Sequence, residues 1–321
     1  MQVLYDTEDV PPAERFDYYQ AGSARELAPA SVHGRAPVRL RAAMSVAEVD
    51  DIRLEHVTWS ADAQLVTRRT ERLIRAQDPE CYRIFLCANG VMIGDQAGNR
   101  VVLRTHDMTL FDLSRPCDAT HGTDRGLLQA VMLSIPRAQV QVPHAMVRSL
   151  AGTLIPRALP DRSLVAQFLI GLIHPAAPAP DPDLADVLRE SVTDLIRTRL
   201  GLSNGISPHT RQTLWMRHLN NLIWQGHRDP DFDVHHLATA ANISTRFLQS
   251  LCHHSGHTPT QLVKQVRLQE CHRDLRDPAL VTKPLGHIRA THGYTRADQF
   301  ARDFRQQFGL SASQIRNQTP R

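Results

Sequence analysis

The chain has 321 residues, 42% apolar and 22% charged, enough to bury the cores of two ordinary domains and too apolar for wholesale disorder. No stretch reaches the roughly 18 apolar residues of a membrane span, since Gln167 already breaks the longest run, Leu164 to Ile173. Charge is unevenly placed: up to Ser207, 22 Arg face 25 acidic residues, a balance of −3, whereas Pro208 to Arg321 sets 13 Arg and 2 Lys against 8 acidic residues, a balance of +7. A basic segment joined to a slightly acidic one suggests a polyanion-binding unit with a separate regulatory or catalytic unit.

The first residues, Met1 to Asp6, lack a basic segment followed by an apolar one, and the five cysteines form no CxxC pair. A soluble protein of the reducing cytoplasm is expected, without a disulfide scaffold. Short β-rich runs then follow one another: Tyr82 to Cys87, Val91 to Gly94, Val101 to Leu103, Met108 to Leu113 and Leu127 to Ser134. Ala88-Asn89-Gly90, Gln96-Ala97-Gly98-Asn99 and Ser114-Arg115-Pro116 separate several of them with turn-forming residues. Val38 to Ala43 and Ile52 to Trp59 supply further strands, so a sandwich or small barrel is expected over about residues 30–140. Cys81 and Cys87, at an even spacing on one strand, are expected to be buried small hydrophobes.

After Ser134 the apolar period changes. Leu164, Phe168, Leu169 and Leu172, then Leu184, Val187, Leu188, Val192 and Leu195, recur at helical offsets. They predict two amphipathic helices over about residues 160–200, packed on the barrel or on a second subunit. Pro175-Ala176-Ala177-Pro178-Ala179-Pro180-Asp181-Pro182 joins them as a stiff connector. The domain boundary is expected at residues 201–207, around Gly201-Leu202-Ser203-Asn204-Gly205.

From Pro208 to Arg321 the pattern is helical and contains a degenerate repeat. Leu237-Ala238-Thr239-Ala240-Ala241-Asn242-Ile243-Ser244 matches Ile288-Arg289-Ala290-Thr291-His292-Gly293-Tyr294-Thr295 at an offset of 51 residues. Each block reads as a helix ended by a left-handed residue (Asn242, Gly293), an apolar plug (Ile243, Tyr294) and an N-cap for the next helix (Ser244, Thr295). Two helix-turn-helix units are thus predicted. In the first, Phe247, Leu248, Leu251 and Cys252 form the apolar side, opposite Arg246, Ser250 and His253, with Gln249 at the flank. In the second, Ala297, Phe300, Phe304 and Phe308 form the stripe, opposite Thr295, Asp298, Gln299, Arg302 and Gln306. Side chains of these polar types bind base edges and phosphates. Between the units, a helix from about Thr260 to Arg276 would span about 25 Å, close to the roughly 34 Å between successive major-groove faces.

These residues carry a resemblance. From about Trp215 to Arg316 the chain resembles the DNA-binding domain of the AraC/XylS transcription regulators, through Leu237-Ala238, Ser244-x-Arg246-x-Leu248-Gln249, Gly256-His257-Thr258-Pro259, Val266-Arg267-Leu268 and Ile288-x4-Gly293-Tyr294-x5-Phe300-x-Arg302-x-Phe304-x3-Phe308-Gly309-Leu310-Ser311. The N-terminal part resembles the cupin-like sensor domain of one AraC-type subfamily, through Arg69-Thr70-Glu71-Arg72-Leu73-Ile74, Asn99-Arg100-Val101-Val102-Leu103 and Phe111-Asp112-Leu113-Ser114-Arg115-Pro116. The implied class is α+β: a cupin-like β-barrel with following helices over residues 1–200, then an all-α double helix-turn-helix domain over 208–321. The resemblance puts base-facing positions on Arg246, Gln249, Ser250, Asp298, Gln299 and Arg302, with Thr295 and Arg296 opening the second recognition helix. It implies double-stranded DNA as partner, RNA polymerase, an unidentified small-molecule effector, a homodimer, and no membrane.

Two residues depart from the family pattern. Arg289 stands where a small residue is usual (Ala238 in the first unit), and must snorkel outward or reach a phosphate. His106, in Thr105-His106-Asp107, is expected in an uncomfortable backbone position. A rival reading is a metal-dependent cupin enzyme with an appended nucleic-acid-binding domain. Such sites need a His-x-His pair, and His56, His106 and His121 offer none, so no catalytic residue, metal or cofactor is expected. Cys252, His253, His254 and His257 do not converge as zinc ligands on one helix face. In a third reading the barrel only dimerises; in the sensing reading, Arg69, Arg83 and Arg115 are candidates for an acidic effector.

Overall fold

The computed structural model describes residues 1–25, 27–121, 126–174 and 183–317. The proline-rich connector, residues 175–182, lies outside the described residues.

Alternating apolar and polar side chains in the N-terminal half give strands β1 (Gln2–Asp6), β2 (Ser31–Gly34), β3 (Leu40–Val49), β4 (Ile52–Ala61), β5 (Leu65–Arg69), β6 (Cys81–Asn89), β7 (Val91–Gln96), β8 (Asn99–Arg104), β9 (Met108–Asp112), β10 (Cys117–His121), β11 (Leu128–Pro136) and β12 (Leu154–Ile155). They form two antiparallel sheets, ordered β1-β3-β4-β11-β6-β9-β12 and β2-β5-β10-β7-β8. Both sheets supply one apolar core, Met44, Trp59, Phe85 and Leu128 from the first meeting Leu65, Met92 and Leu103 from the second. Cys81 and Cys87 are buried and unbridged, and burial pushes both thiols up to about 11. The larger sheet begins earlier than residue 30, because Gln2–Asp6 pairs with β3. His106, expected in an uncomfortable backbone position, adopts a left-handed φ of 68° in the turn between β8 and β9.

The helices are α1 (Arg15–Ser23), α2 (Glu71–Ala76), α3 (His144–Arg148), α4 (Arg162–Leu172), α5 (Leu184–Arg199), α6 (Pro208–Gly226), α7 (Val234–Ala240), α8 (Thr245–His254), α9 (Pro259–Leu275), α10 (Leu285–Thr291), α11 (Ala297–Phe308) and α12 (Ala312–Asn317). In α5, Leu184, Leu188, Val192 and Leu195 are buried within the single chain, so this stripe needs no second subunit to cover it. One compact unit runs through Arg211 and a second begins at Gln212. This division falls inside α6.

The second unit is organised by α9. Its N-terminal half gives Leu262, Val263 and Val266 to a core shared with Leu237, Ala238, Leu248 and Leu251. Its C-terminal half gives Leu268, Cys271 and Leu275 to a core shared with Ile288, Tyr294, Phe300 and Phe304. One helix thus serves both helix-turn-helix units. Its start is fixed by a reciprocal cap, Thr258 Oγ1 accepting from the Gln261 amide at 3.2 Å and Gln261 Oε1 from the Thr258 amide at 2.7 Å.

Candidate DNA-binding interface

The first unit starts where Asp233 accepts from the amides of His235 and His236 at 2.9 and 3.0 Å, capping α7. The helix ends at Asn242, whose φ of 53° reverses the chain, and the Ile243 amide closes the turn on the Ala238 carbonyl at 3.0 Å. Ser244 then caps α8, its hydroxyl accepting from the Phe247 amide at 3.1 Å. Leu248, Leu251 and Cys252 are buried, and Arg246, Gln249, Ser250 and His253 are exposed. Phe247 departs from the expected apolar side: it is 42% exposed, its ring edge-on to Trp215 with centroids 5.6 Å apart. It lies at the border of the stripe, where helical period alone does not separate core from rim.

The second unit repeats the path with different chemistry. Gly293 takes φ 76°, and a Cβ there would stand 2.6 Å from the His227 carbonyl oxygen, so glycine is required twice over. Tyr294 is buried as the plug. Thr295 does not cap the next helix, as the repeat had suggested: α11 begins at Ala297, with Arg296 in the N-cap position and no side-chain cap. Arg289 is a second difference between the units. Its Nη1 donates to the carbonyls of Tyr294 and Thr295 at 2.6 and 2.7 Å, holding the turn from within. One guanidinium nitrogen is thus committed to the protein's own turn rather than to solvent or a phosphate, the two fates expected of this residue.

On α11, Phe300 and Phe304 are buried and Phe308 is half-buried, while Ala297, expected in the stripe, is exposed. Thr295, Arg296, Asp298, Gln299 and Arg302 are all exposed. Arg296 Nη2 pairs with Asp298 Oδ2 at 2.7 Å, and this guanidinium holds the Asp298 carboxyl below its usual range. A nucleic acid reaching Arg296 must therefore compete with its own neighbour. All eight sequence-derived candidates face solvent, six on α8 and α11 and two, Thr295 and Arg296, on the segment that leads into α11.

The helix-turn-helix domain family matches residues 237–318, and the AraC-binding-like domain family matches residues 20–201, more than half of the chain. The chain belongs to the AraC family. It is 24% identical over 273 residues to the transcriptional activator NphR of Rhodococcus sp, covering 82% of this chain and 78% of that one. Among solved structures it is similar to the AraC-like transcriptional activator CuxR, at 15% identity and TM-score 0.49 over 81% of this chain and 92% of that one. It is also similar to ToxT of Vibrio cholerae, at 9% identity and TM-score 0.26 over 73% and 88%. This AraC-family chain is thus a DNA-binding transcription regulator with an N-terminal binding domain. No helix among the described residues is long and apolar enough to cross a membrane.

The binding domain of this AraC-family protein holds a partly open cavity of about 100 Å3 lined mainly by apolar side chains, with Trp59, Thr67, Asp118, His121, Arg69 and Arg83 among its polar members. The arginines are largely engaged. Arg69 donates to the carbonyls of Leu113, Pro29 and Gln77 at 2.8, 2.9 and 2.8 Å. Arg83 binds Ser134 Oγ at 2.9 Å and pairs with the buried Glu55 at 2.7 Å. Arg115 is half-buried and does not line the cavity. Trp59 Nε1 and His121 Nδ1 are buried without a hydrogen-bond partner; sequence reading weighs His121 as a metal ligand alone and Trp59 as a strand residue alone. Burial lowers the His121 pKa to about 4, so its ring is neutral at ordinary pH. Neither residue sits in a recognisable motif; only the fold brings β4 and β10 to one cavity.

The other histidine sets do not assemble. Cys252 is buried while His253, His254 and His257 are exposed. In the barrel, His106 is exposed on its turn, His56 is half-buried on β4, and His121 alone of the three lines the cavity.

Proposed function

We propose that this regulator reads double-stranded DNA by laying α8 and α11 into successive major grooves, with Arg246, Gln249 and Ser250 on one and Gln299 and Arg302 on the other meeting bases. Thr295 and the Arg296–Asp298 pair, at the start of α11, meet the backbone or the first base. The observation that carries this reading is that a single 17-residue helix, α9, supports both exposed polar faces. Two contact surfaces fixed to one rod match two turns of one duplex better than two independent partners.

The test is binding to a promoter fragment recovered by genome-wide mapping of occupied sites. Arg246→Ala and Arg302→Ala are each expected to cost about 1–3 kcal/mol of specific binding and to relax preference at one base position. Affinity should fall steeply with salt. Unchanged affinity in both variants would sink the assignment of these helices.

The barrel cavity is proposed as the effector site. Its apolar lining and the two unsatisfied donors or acceptors on Trp59 and His121 favour a small, mainly apolar compound with one or two hydrogen-bonding groups, over the acidic effector suggested by the arginines. Effector binding then alters DNA affinity through differential affinity for two states of the protein. Activation, with RNA polymerase and a second copy of the chain as partners, is extended from the Rhodococcus relative's being an activator. The barrel binds and does not catalyse in this reading. A thermal-shift screen should give ligands whose stabilisation is lost in His121→Leu; ligands indifferent to that change would place the site elsewhere.

A further inference from the structure

His227, Glu270 and His292 bring their ligating atoms within 4.8 Å of one another, and no other three such side chains do so among the described residues. All three are buried, at 3%, 2% and 0% exposure. They come from three places in the second unit: the residue after α6, the middle of α9 and the end of α10. In sequence they stand 43 and 22 residues apart, a spacing that matches no ligand motif.

The hydrogen bonds around the two rings decide where their lone pairs point. His227 Nδ1 lies 2.8 Å from the Trp224 carbonyl, which can only accept, so Nδ1 carries the hydrogen and Nε2 is bare. His292 Nε2 lies 2.7 Å from Asp274 Oδ2, which likewise accepts, so Nδ1 of that ring is bare. The two bare nitrogens face each other at 3.1 Å. Two lone pairs at that separation in a buried site repel unless a positive charge stands between them.

We propose that these residues form a binding site for a zinc-class divalent cation, with His227 Nε2, His292 Nδ1 and the Glu270 carboxylate as ligands and water at the fourth position. An ion about 2.05 Å from each nitrogen sees them about 100° apart, near the tetrahedral angle. Arg273 contacts Glu270 Oε2, which leaves Oε1 for the ion. The bonds to the Trp224 carbonyl and to Asp274 are the outer contacts that fix ring orientation at metal-binding histidines. His292 precedes Gly293, so the ion ties the end of α6 and the spine α9 to the turn from which α11 departs. It is a structural clamp on the second recognition helix, independent of the barrel and of the DNA contacts.

The test uses the full chain, stripped with a chelator and titrated with Zn2+ by calorimetry and with Co2+ by visible absorption. One equivalent should bind, with the intense visible bands of a low-coordinate Co2+ site, and should raise the melting temperature. His227→Gln and His292→Gln should each weaken binding at least tenfold, and the removed outer contact in Asp274→Asn should weaken it roughly 10–100-fold. The exposed double variant His253→Gln/His254→Gln should bind as the parent does. Circular dichroism identifies the variants that fold; should a histidine variant fail to fold, Glu270→Gln and Asp274→Asn decide instead. Affinity unchanged in the folded variants, or lost in the surface control, overturns the proposal. So does an absence of binding tighter than micromolar, in which case a shared proton holds the ring pair.

Discussion

The two helix-turn-helix units follow one path through space and hold it by different means. Both turns close on the same backbone bond, the Ile243 amide to the Ala238 carbonyl and the Tyr294 amide to the Arg289 carbonyl, each at 3.0 Å; the first adds a small buried Ala238 and a hydroxyl cap from Ser244. In the second, no hydroxyl caps α11, and the long Arg289 reaches into the turn to bind two of its carbonyls. What the geometry demands of both is a residue able to take positive φ, Asn242 or Gly293, followed by an apolar plug. The two devices serve opposite groups: the Ser244 hydroxyl accepts from an amide at the start of α8, whereas the Arg289 guanidinium donates to carbonyls of the turn before α11.

The comparison breaks most readily at the left-handed residue. Gly293→Ala adds a strained φ and a Cβ at 2.6 Å from the His227 carbonyl, so a loss of about 2–4 kcal/mol is expected. Asn242→Ala meets strain alone, and about 1 kcal/mol is expected. Denaturant unfolding followed through the tryptophans of α6, Trp215 and Trp224, would report both. Equal losses at the two sites would show that the close approach at Gly293 relaxes without cost.

Next in size is Arg289. Replacing it by Ala leaves two carbonyls of the turn without their charged donor, which should cost about 1.5–3 kcal/mol. Operator affinity should fall as well, since the turn sets where α11 begins. Arg289→Lys tests the geometry, because one ammonium cannot match the reach of the planar guanidinium. A variant as stable as the parent would return Arg289 to the role of a solvent-facing cation.

How far such differences could be read from sequence follows from where their causes lie. Asn242 and Gly293 announce the turns because positive φ is a property of residue type. The strands around residues 82–134 are legible because alternation and turn residues are local. The analogy with Ser244 predicts a cap at Thr295, but α11 begins one residue beyond Arg296 and the Thr295 carbonyl is held by Arg289, six residues back on another helix. Gln2–Asp6 gave no signal, since its partner strand begins more than thirty residues later. Arg69 has the chemistry of an anion-binding residue, and only the fold shows its donors committed to carbonyls at Leu113, Pro29 and Gln77. Local rules reach local causes; the binding-domain cavity and the buried histidine pair are made by long-range contacts.

The smallest expected effect separates the caps themselves. Ser244→Ala removes the hydroxyl that accepts the Phe247 amide at 3.1 Å, and α8 should lose about 1 kcal/mol of stability. Thr295→Ala removes an exposed side chain that caps nothing, so stability should stay within about 0.5 kcal/mol. DNA binding should order them differently. Thr295 stands at the exposed start of α11, where a hydroxyl can reach a phosphate, so its loss should weaken affinity at low salt with little change in melting. Matched stability losses in the two variants would mean that Thr295 caps α11 in solution, and that the units are more alike than their hydrogen bonds suggest.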